Sequence, residues 1–292
     1  MRIRGTTWVV TGAGSGIGRE LVLELTGSGA RVAAVDRDAS GLEKLAADAT
    51  YAGLSTHVVD VTDRAAVEAL PDEVVAEHGR VDGLVNNAGI IQPFVDLADL
   101  DDATIEHVLD VNLRAPLHLV RTFLPHLLGG PAGHVVNVSS MGGFFPFPGQ
   151  TVYGASKAAL KLLSEGLYLE LLDTPVRVTV VMPGAVETGI AENSGVSMPE
   201  PADRSRMRAM PAREAAAAIL AAVEADRLHV YVGRDAKAMN IAVKVAFGPS
   251  IRFVRRRMLE QLPSLSGGAS RSPGRRRRGH PRSGHPAAPP AP

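Results

Sequence analysis

Two side chains able to move a proton lie one helical turn apart. Tyr153 and Lys157 occupy positions i and i+4, which share one face of an α-helix. Oxidation of an alcohol by hydride transfer needs a base for the hydroxyl proton, and a free tyrosine, with a pKa of about 10, is a poor base at neutral pH. A nearby ammonium favours the phenolate and so lowers that pKa. The pair therefore indicates an acid–base catalyst that acts on a substrate oxygen.

A serine precedes this pair in the chain. Ser140 lies 13 residues before Tyr153 and directly after a predicted strand, and its hydroxyl could hold the substrate oxygen. Ser139 is the neighbouring alternative. Because a Tyr-x-x-x-Lys spacing also occurs by chance on many helices, the interpretation depends on the motifs that accompany it.

A glycine-rich turn follows the first predicted strand. Residues 11–18 read TGAGSGIG and open a helix. Glycines allow backbone N–H groups to approach a pyrophosphate, which then lies at the positive end of the helix. A plain turn is the alternative, but the strand–turn–helix context favours a dinucleotide. A positive nicotinamide ring and Lys157 would both favour the phenolate form of Tyr153 and so lower the phenol pKa. A decrease of about three pKa units requires roughly 4 kcal/mol of differential stabilisation.

Acidic residues at the ends of the next two strands bear on the choice of cofactor. Asp36 lies 18 residues after Gly18, where a carboxylate can accept hydrogen bonds from both adenosine ribose hydroxyls and would repel a 2′-phosphate. The sequence therefore predicts NAD, with NADP less favoured. Arg37 follows directly and could instead receive that phosphate. Asp60, which ends the third predicted strand, and Val61 are placed to meet the adenine.

Strand and helix patterns alternate along most of the chain. Strict alternation of near-continuous apolar strands with helices predicts an α/β fold. It has one doubly wound parallel sheet (Rossmann-like) of about seven strands, with helices on both faces. Ligands bind outside the carboxyl ends of such strands, where the motifs above lie. The predicted strands are residues 6–11, 31–36, 56–61, 81–86, 133–139, 176–182 and 228–232, and the predicted helices are residues 16–27, 40–47, 64–78, 102–128, 151–172 and 212–225.

Composition narrows the class of protein. The 292 residues include no cysteine, which excludes disulfides and thiol catalysis, and the nine histidines show no ligand-like pairing, so no metal site is expected. There is no signal-peptide pattern and no apolar stretch of about 18 residues, so we expect a cytoplasmic protein. Residues 1–262 contain 25 basic and 31 acidic residues. Because this body lacks a basic surface signal, no nucleic-acid partner is expected.

The chain divides by composition into three parts. Residues 1–234 form the predicted dinucleotide-binding catalytic domain, residues 235–262 a basic amphipathic helical extension, and residues 263–292 an Arg/Pro/Gly-rich tail expected to be disordered. Gly248 and Pro249 mark a helix start, and residues 250–262 carry apolar side chains at helical spacing among arginines. This helix either docks on its own domain or a partner subunit, or lies weakly and peripherally on an anionic membrane.

Two loops and one long connection surround the expected site. Four of the seven phenylalanines follow the fourth and fifth strands: Phe94, Phe144, Phe145 and Phe147. They either pack against the body or line an apolar pocket for a bulky hydrophobic alcohol or ketone. Residues 187–210 are rich in small, polar and proline residues and are expected to form a mobile flap over the site.

Together these motifs resemble the short-chain dehydrogenase/reductase (SDR) family over about residues 5–234. The resemblance implies that Tyr153 is the acid–base, that Lys157 is its pKa partner and a ribose ligand, and that Ser140 orients the substrate oxygen. It also implies that Asn112 holds a water linking Lys157 to solvent. The matching motifs are residues 11–18, Asn86, Asn87, Ala88, Gly89, Asn112, Ser140, Tyr153, Lys157, Pro183 and Gly184.

The resemblance extends to the cofactor contacts and to assembly. Residues 86–89 would brace the central strand and approach the adenosine ribose, and Thr188 would contact the nicotinamide carboxamide. A homodimer or homotetramer is expected. The chain departs from the family by continuing for some 60 residues after the last predicted strand. In full, the expected cofactor-binding residues are Gly12, Ser15, Gly16, Ile17, Gly18, Asp36, Asp60, Val61, Asn87, Ala88, Gly89, Tyr153, Lys157, Pro183, Gly184, Val186 and Thr188.

The function predicted on this basis is hydride transfer between NAD(H) and a hydrophobic secondary alcohol or ketone. One alternative is a sugar-nucleotide epimerase or dehydratase on the same scaffold, against which the glycine spacing argues. The other is a regulator that senses a dinucleotide without turnover. The presence of Asn112, Ser140, Tyr153 and Lys157 argues against that second alternative.

Overall fold

The computed structural model describes residues 1–49, 53–197 and 209–261. Seven parallel strands form one sheet in the order β3-β2-β1-β4-β5-β6-β7. This confirms the predicted doubly wound fold, and the strand order reverses between β1 and β4. The strands are β1 (Thr7–Thr11), β2 (Arg31–Asp36), β3 (Leu54–Val58), β4 (Gly83–Asn86), β5 (Gly133–Val138), β6 (Val176–Pro183) and β7 (His229–Val232).

Helices connect the strands and cover both faces of the sheet. Their first turns are closed in three cases by an aspartate: Asp38, Asp63 and Asp101 each accept a backbone N–H of the helix that follows, as expected of good N-cap residues. The helices are α1 (Gly16–Gly27), α2 (Ala39–Asp48), α3 (Arg64–His78), α4 (Asp102–Leu109), α5 (Ala115–Leu128), α6 (Thr151–Glu170), α7 (Ile190–Asn193), α8 (Ala212–Glu224) and α9 (Arg234–Gln261).

The core lies in two layers because successive strand side chains point to opposite faces. On β1, Trp8 and Val10 pack in a cluster with Leu21 of α1 and with α8. Val9, between them in sequence, lies in the opposite cluster with Phe123 of α5 and with α3. All five residues are fully buried, so the sheet is a rigid platform for the loops at its carboxyl edge.

The third strand was predicted two residues too late. β3 covers Leu54–Val58 instead of residues 56–61, because it pairs in register with β2, which ends at Asp36 opposite Val58. Asp60 therefore does not end the strand. It lies in a turn in which its Oδ1 accepts both the N–H and the hydroxyl of Thr62, at 2.9 and 2.7 Å.

The predicted helix over residues 102–128 is interrupted. A π-helical turn, Asp110–Arg114, separates α4 from α5. Pro116 gives the physical reason, because a proline has no N–H to donate to the carbonyl four residues earlier, which belongs to Asn112. The break therefore falls at a residue assigned to the catalytic set.

The helical extension begins at Arg234, immediately after β7. Ala246 inside α9 has non-helical dihedral angles, φ −150° and ψ 69°, so the expected helix start at Gly248 follows this break by two residues. Ala236 is fully buried, and Asp235 Oδ2 accepts the N–H of Ala185 at 2.7 Å. The first turn of α9 is thus part of the packed fold. Residues 262–292, including the predicted tail, lie outside the described residues, and no described helix is long and apolar enough to cross a membrane.

Candidate active site

Two glycines at the turn between β1 and α1, Gly12 and Gly18, are packed too tightly to carry side chains. A Cβ on Gly18 would overlap the carbonyl oxygen of Gly12, which leaves room only for glycine at position 18. Asn87, after β4, donates from Nδ2 to the carbonyls of Thr11 and Gly12, at 3.0 and 3.2 Å. The hydroxyl of Thr11 accepts the N–H groups of Asn87 and Ala88, at 3.0 and 3.1 Å. The turn is therefore held against the central strands.

The carboxylate of Asp36 closes the other side of this turn. Its Oδ2 accepts the N–H of Gly14 at 2.8 Å, and its Oδ1 accepts the N–H of Asp38 at 3.0 Å. Asp60 lies further along the same edge. Burial acts to raise the pKa of Asp60, but the hydrogen bonds from Thr62 and the charge of Arg37 outweigh it, and the pKa lies below its usual value. Both carboxylates border the same cavity.

Tyr153 and Ser140 face each other across this edge of the sheet. Ser140 follows β5, and its Oγ accepts the N–H of Gly142 at 3.0 Å. Burial raises the pKa of the Tyr153 phenol, and a hydrogen bond with Ser140 opposes part of that rise. Ser139 has another role, because its hydroxyl donates to the carbonyl of Lys157 at 2.7 Å. Of the two serines, Ser140 is the one beside the phenol.

Lys157 is a buried ammonium. Its Nζ donates to the carbonyl of Val138 at 3.0 Å, and the residue is 3% exposed. Burial lowers its pKa to about 8. The sequence predicts that Lys157 lowers the pKa of Tyr153, but in the chain itself desolvation dominates and the phenol pKa is raised. A lowered phenol pKa would need the additional positive charge of a bound oxidised nicotinamide.

Asn112 lies behind this pair, in the π-helical turn. Its Oδ1 accepts the N–H of Ile90 at 2.9 Å, and its Nδ2 donates to the Ile90 carbonyl at 2.8 Å and to Ser156 Oγ at 3.2 Å. Gly89 allows this approach, because a Cβ there would lie 3.1 Å from Lys157 Nζ and 3.2 Å from Asn112 Oδ1. The fully buried Asn112 side chain thus fixes the loop after β4 next to Lys157.

Gln92 is a site residue that the sequence analysis did not single out. Its fully buried side chain accepts, through Oε1, the N–H groups of Val152 and Tyr153 at 2.8 and 2.9 Å, and donates to the Gly149 carbonyl at 3.0 Å. Gln150 in turn donates to the Gln92 carbonyl at 2.7 Å. No local signal marks this role, because Gln92 and Tyr153 lie 61 residues apart in the chain.

The chain after β6 crosses above the glycine turn. Gly184 donates to the carbonyl of Val232, and Val186 forms an isolated bridge with Met210. The Cγ2 of Thr188 lies 3.0 Å from the position that a Cβ on Gly16 would take. Of the predicted flap over residues 187–210, residues 198–208 lie outside the described residues, and the described part includes α7.

Three phenylalanines of the loop after β5 pack against other aromatic rings. Phe145 is buried and stacks edge-on with Phe147, with ring centroids 5.2 Å apart, and Phe144 stacks on Tyr231 at 5.4 Å. These rings do not line the large cavity. Phe147 also lines a second, smaller cavity of about 240 Å³ with Thr151 and Ile251.

Most of the predicted site residues line one cavity of about 670 Å³. Gly18 and Asn112 do not reach its surface but support residues that do. Among the described residues, no group of three or more acidic or histidine side chains could hold a metal ion. The predicted residues that line the cavity are Gly12, Ser15, Gly16, Ile17, Asp36, Asp60, Val61, Asn87, Ala88, Gly89, Ser140, Tyr153, Lys157, Pro183, Gly184, Val186 and Thr188.

The shape and chemistry of this cavity fit a dinucleotide. The glycine-rich turn lies at the N-terminus of α1, where N–H groups and the helix dipole favour a pyrophosphate. Asp36, bonded to Gly14 of that turn, and the Tyr153–Lys157 pair line the same cavity. The cavity also lies where the strand order reverses, the usual ligand site of such sheets.

Comparison with known proteins agrees with this arrangement. Residues 6–198 match the model of the short chain dehydrogenase family. The oxidoreductase SadH of Mycobacterium tuberculosis is 38% identical over 252 residues, which cover 82% of this chain and 91% of that protein. A short-chain dehydrogenase/reductase of Burkholderia phymatum in complex with NAD superposes with a TM-score of 0.74 and 27% identity, covering 84% of this chain and 96% of the other. A short chain dehydrogenase from Burkholderia cenocepacia in complex with NADP superposes with a TM-score of 0.73 and 26% identity. The match covers 89% of this chain and 99% of the other.

Proposed function

Because the chain belongs to the short-chain dehydrogenase/reductase family, we propose that it transfers hydride between NAD(H) and an apolar secondary alcohol or its ketone. The chain is an NAD(P)-dependent oxidoreductase acting on CH–OH groups. The catalytic roles, the substrate class and the preference for NAD are our proposals. The observation that carries them is the meeting of Ser140, Tyr153 and Lys157 on the wall of one dinucleotide-sized cavity.

In this proposal Tyr153 exchanges a proton with the substrate oxygen. In oxidation the phenolate accepts the hydroxyl proton of the alcohol, and in reduction the phenol donates a proton to the ketone oxygen. Ser140, which lines the same cavity beside the phenol, orients the same oxygen. When bound, the nicotinamide accepts or supplies the hydride. Lys157 would hold the nicotinamide ribose and add a positive charge to the same cavity wall as the phenol.

Asn112 supports this arrangement from behind. We propose that it holds a water between Lys157 and solvent, the role that the family resemblance implies. The support is its place in a π-helical turn, a distortion frequent at functional sites, with Oδ1 close to Gly89. Its amide also makes three hydrogen bonds to Ile90 and Ser156, so it orders the loop that faces Lys157.

The proposed substrate is apolar. Ile90, Val186 and Ile190 line the same cavity as Ser140 and Tyr153, and apolar lining with few polar groups is typical of small-molecule sites. The three packed phenylalanines of the loop after β5 no longer contribute to this inference, because they do not line the cavity.

We also propose that the protein acts as a homodimer or homotetramer. Leu162, Leu169 and Leu172, on α6 and just after it, are 69%, 65% and 51% exposed, and such apolar exposure commonly marks an interface. Light scattering after size-exclusion chromatography measures the assembly directly. A monomer at micromolar concentration would contradict the proposal.

The proposed location is the cytoplasm, with weak and peripheral contact of residues 250–262 with anionic membranes. Phe247 and Phe253 on α9 are more than half exposed, near the basic residues Arg252 and Arg255, a combination that suits an interfacial helix. Co-sedimentation with anionic vesicles, lost at high salt, is the expected result. Equal sedimentation of a protein truncated after Ala246, where α9 breaks, would contradict it.

The two alternative functions have less support. The glycine spacing and the match to the short chain dehydrogenase model do not favour an epimerase or dehydratase. A regulator without turnover would not need Ser140, Tyr153 and Lys157 on one cavity wall. Turnover with a simple alcohol and NAD distinguishes both from the proposal.

The deciding experiment compares wild type with Tyr153→Phe on a panel of cyclic, aromatic and sterol-like alcohols and ketones, followed by nicotinamide absorbance. We expect kcat to fall at least about 100-fold, because the proton-transferring hydroxyl is lost, while NADH binding measured by fluorescence stays nearly unchanged. Tyr168→Phe on the same helix is the matched control and should retain full activity. Substantial activity of Tyr153→Phe would refute the mechanism.

A further inference from the structure

A short segment joins three strand ends above the cofactor cavity. In residues 188–194, here called the clasp segment, Asn193 Nδ2 donates to Ser15 Oγ in the glycine turn at 2.8 Å. Arg37, directly after β2, donates from Nη2 to the Asn193 carbonyl at 3.0 Å. The N–H of Ile91, after β4, donates to Ser194 Oγ at 3.0 Å. The segment is thus tied to the ends of β1, β2 and β4, which are neighbours in the sheet.

The clasp segment is also a wall of the cavity. Thr188, Ile190, Ala191 and Asn193 line it together with Asp36. Within the segment, Asn193 donates from its N–H to the Gly189 carbonyl and Ser194 donates from Oγ to the Ile190 carbonyl, at 2.8 and 2.6 Å. These internal bonds hold the clasp segment together. The hydrogen bonds to Ser15 and Arg37 therefore position the whole segment and not Asn193 alone.

Arg37 has two possible partners. It is the cation next to Asp36, where the 2′-phosphate of NADP would arrive, and a guanidinium binds phosphate well. In the structure that guanidinium is bonded to the clasp segment instead. A phosphate that recruited Arg37 would therefore take one tie away from the segment.

We infer that Asn193 and Arg37 fasten the clasp segment over a bound cofactor and thereby set how fast it leaves. Both are positioning residues, and the inference rests on the proposed function, which places a nicotinamide dinucleotide in this cavity. Because NADPH competes with the clasp segment for Arg37, closure of the segment favours NADH. The specificity for NAD then has a second source besides the charge of Asp36.

The test is the release rate of bound NADH, followed by stopped-flow fluorescence without any substrate. Asn193→Ala and Arg37→Met should each release NADH about fivefold faster or more, since each removes one hydrogen bond that holds the segment closed. Glu192→Gln, in the same short helix, is the matched control and should stay within about twofold of wild type. NADPH release from Asn193→Ala should rise by a smaller factor than NADH release, because NADPH has already drawn Arg37 away and only the bond to Ser15 is left for the variant to remove.

The double variant separates this mechanism from direct contact of Arg37 with the adenosine. If both residues act through one segment, the effect of Asn193→Ala plus Arg37→Met is smaller than the product of the single effects. The inference is overturned if the double variant speeds NADH release by the full product of the two single effects, or if neither single variant changes the release rate. The proposed function would still stand in both cases. Failure of the wild type to bind NADH would overturn both.

Discussion

Gln92 holds the first turn of the helix that carries Tyr153. Its Oε1 accepts the backbone N–H of Tyr153 at 2.9 Å and that of Val152 at 2.8 Å. The first N–H groups of a helix have no partner within it, and here a buried neutral amide from a distant loop supplies one. A carboxylate cap would have added a negative charge near the phenol, whereas glutamine fixes the helix without it.

Gln92 variants should therefore separate support of the helix from tuning of the phenol. Gln92→Ala leaves buried N–H groups without a partner and should lower the free energy of unfolding by about 1–3 kcal/mol. Gln92→Glu keeps the acceptor but adds negative charge, so the pKa of Tyr153 should rise and the pH profile of alcohol oxidation should move to higher pH. The measurements are urea unfolding and kcat/KM against pH.

The other buried glutamine provides the control for these variants. The Gln150 side chain donates to the Gln92 carbonyl and does not bond to the helix N–H groups, so the uncharged Gln150→Met should leave the pH profile in place. A Gln92→Glu variant with the wild-type profile would show that Gln92 has a structural role only.

Much of this site could be predicted because its motifs are local. The glycine turn, Asp36 and the Tyr153–Lys157 pair each depend on residues next to a strand or helix end, and patterning predicts those ends within a few residues. Gln92 and Asn193 could not be found in this way, since their partners are 61 and 178 residues away. Pro116 did indicate the break in the helix at Asn112. The prediction of one continuous helix over residues 102–128 followed the periodic pattern of apolar residues instead.

The two adjacent serines should differ in function. Ser140→Ala removes the hydroxyl beside the phenol and should lower kcat by roughly 100-fold, as loss of one oriented donor does in other enzymes. Ser139→Ala removes a buried bond to the Lys157 carbonyl and should cost about 1 kcal/mol of stability with little change in kcat. Steady-state kinetics and thermal unfolding of both variants check this. A larger loss of kcat in Ser139→Ala would reverse the assignment.

Lys157 should make the folded chain less stable at neutral pH. Its pKa of about 8 lies below the usual lysine value of 10.5, so between these values the folded chain binds fewer protons than the unfolded chain, and stability rises with pH. The destabilisation caused by burying the Lys157 ammonium is fully present below pH 8 and is gone above pH 10.5. A shift of this size corresponds to about 3 kcal/mol.

Lys157→Met should therefore abolish turnover and yet stabilise the fold. We expect a net gain of about 1 kcal/mol at neutral pH, because the lost bond to the Val138 carbonyl offsets part of the relieved penalty. By about pH 10 the advantage over wild type should have disappeared. Urea unfolding at both pH values measures the change, and Lys161→Met, a more exposed lysine of the same helix, is the control. A difference that does not depend on pH would contradict the pKa assignment.

The choice of cofactor depends on two adjacent residues of opposite charge. Asp36 braces the glycine turn through Gly14 and would face the 2′-phosphate of NADP, while Arg37 is bonded to the Asn193 carbonyl. Hydrogen bonds from ribose hydroxyls to a carboxylate are worth about 1.5–3 kcal/mol each. Their loss, together with charge repulsion, should disfavour NADP by about a hundredfold or more, where 2.7 kcal/mol corresponds to that factor.

The ratio of kcat/KM for the two cofactors tests this in wild type, Asp36→Ala and Asp36→Asn. Wild type should prefer NAD by about a hundredfold, and Asp36→Ala should lose most of that preference because Arg37 can then reach the phosphate. Asp36→Asn keeps an acceptor for the Gly14 N–H and removes only the charge, so it should lose the repulsion while the glycine turn stays intact. A preference that survives in Asp36→Asn would place the specificity in the turn and the clasp segment. A wild type that prefers NADP would show that Arg37 outweighs Asp36.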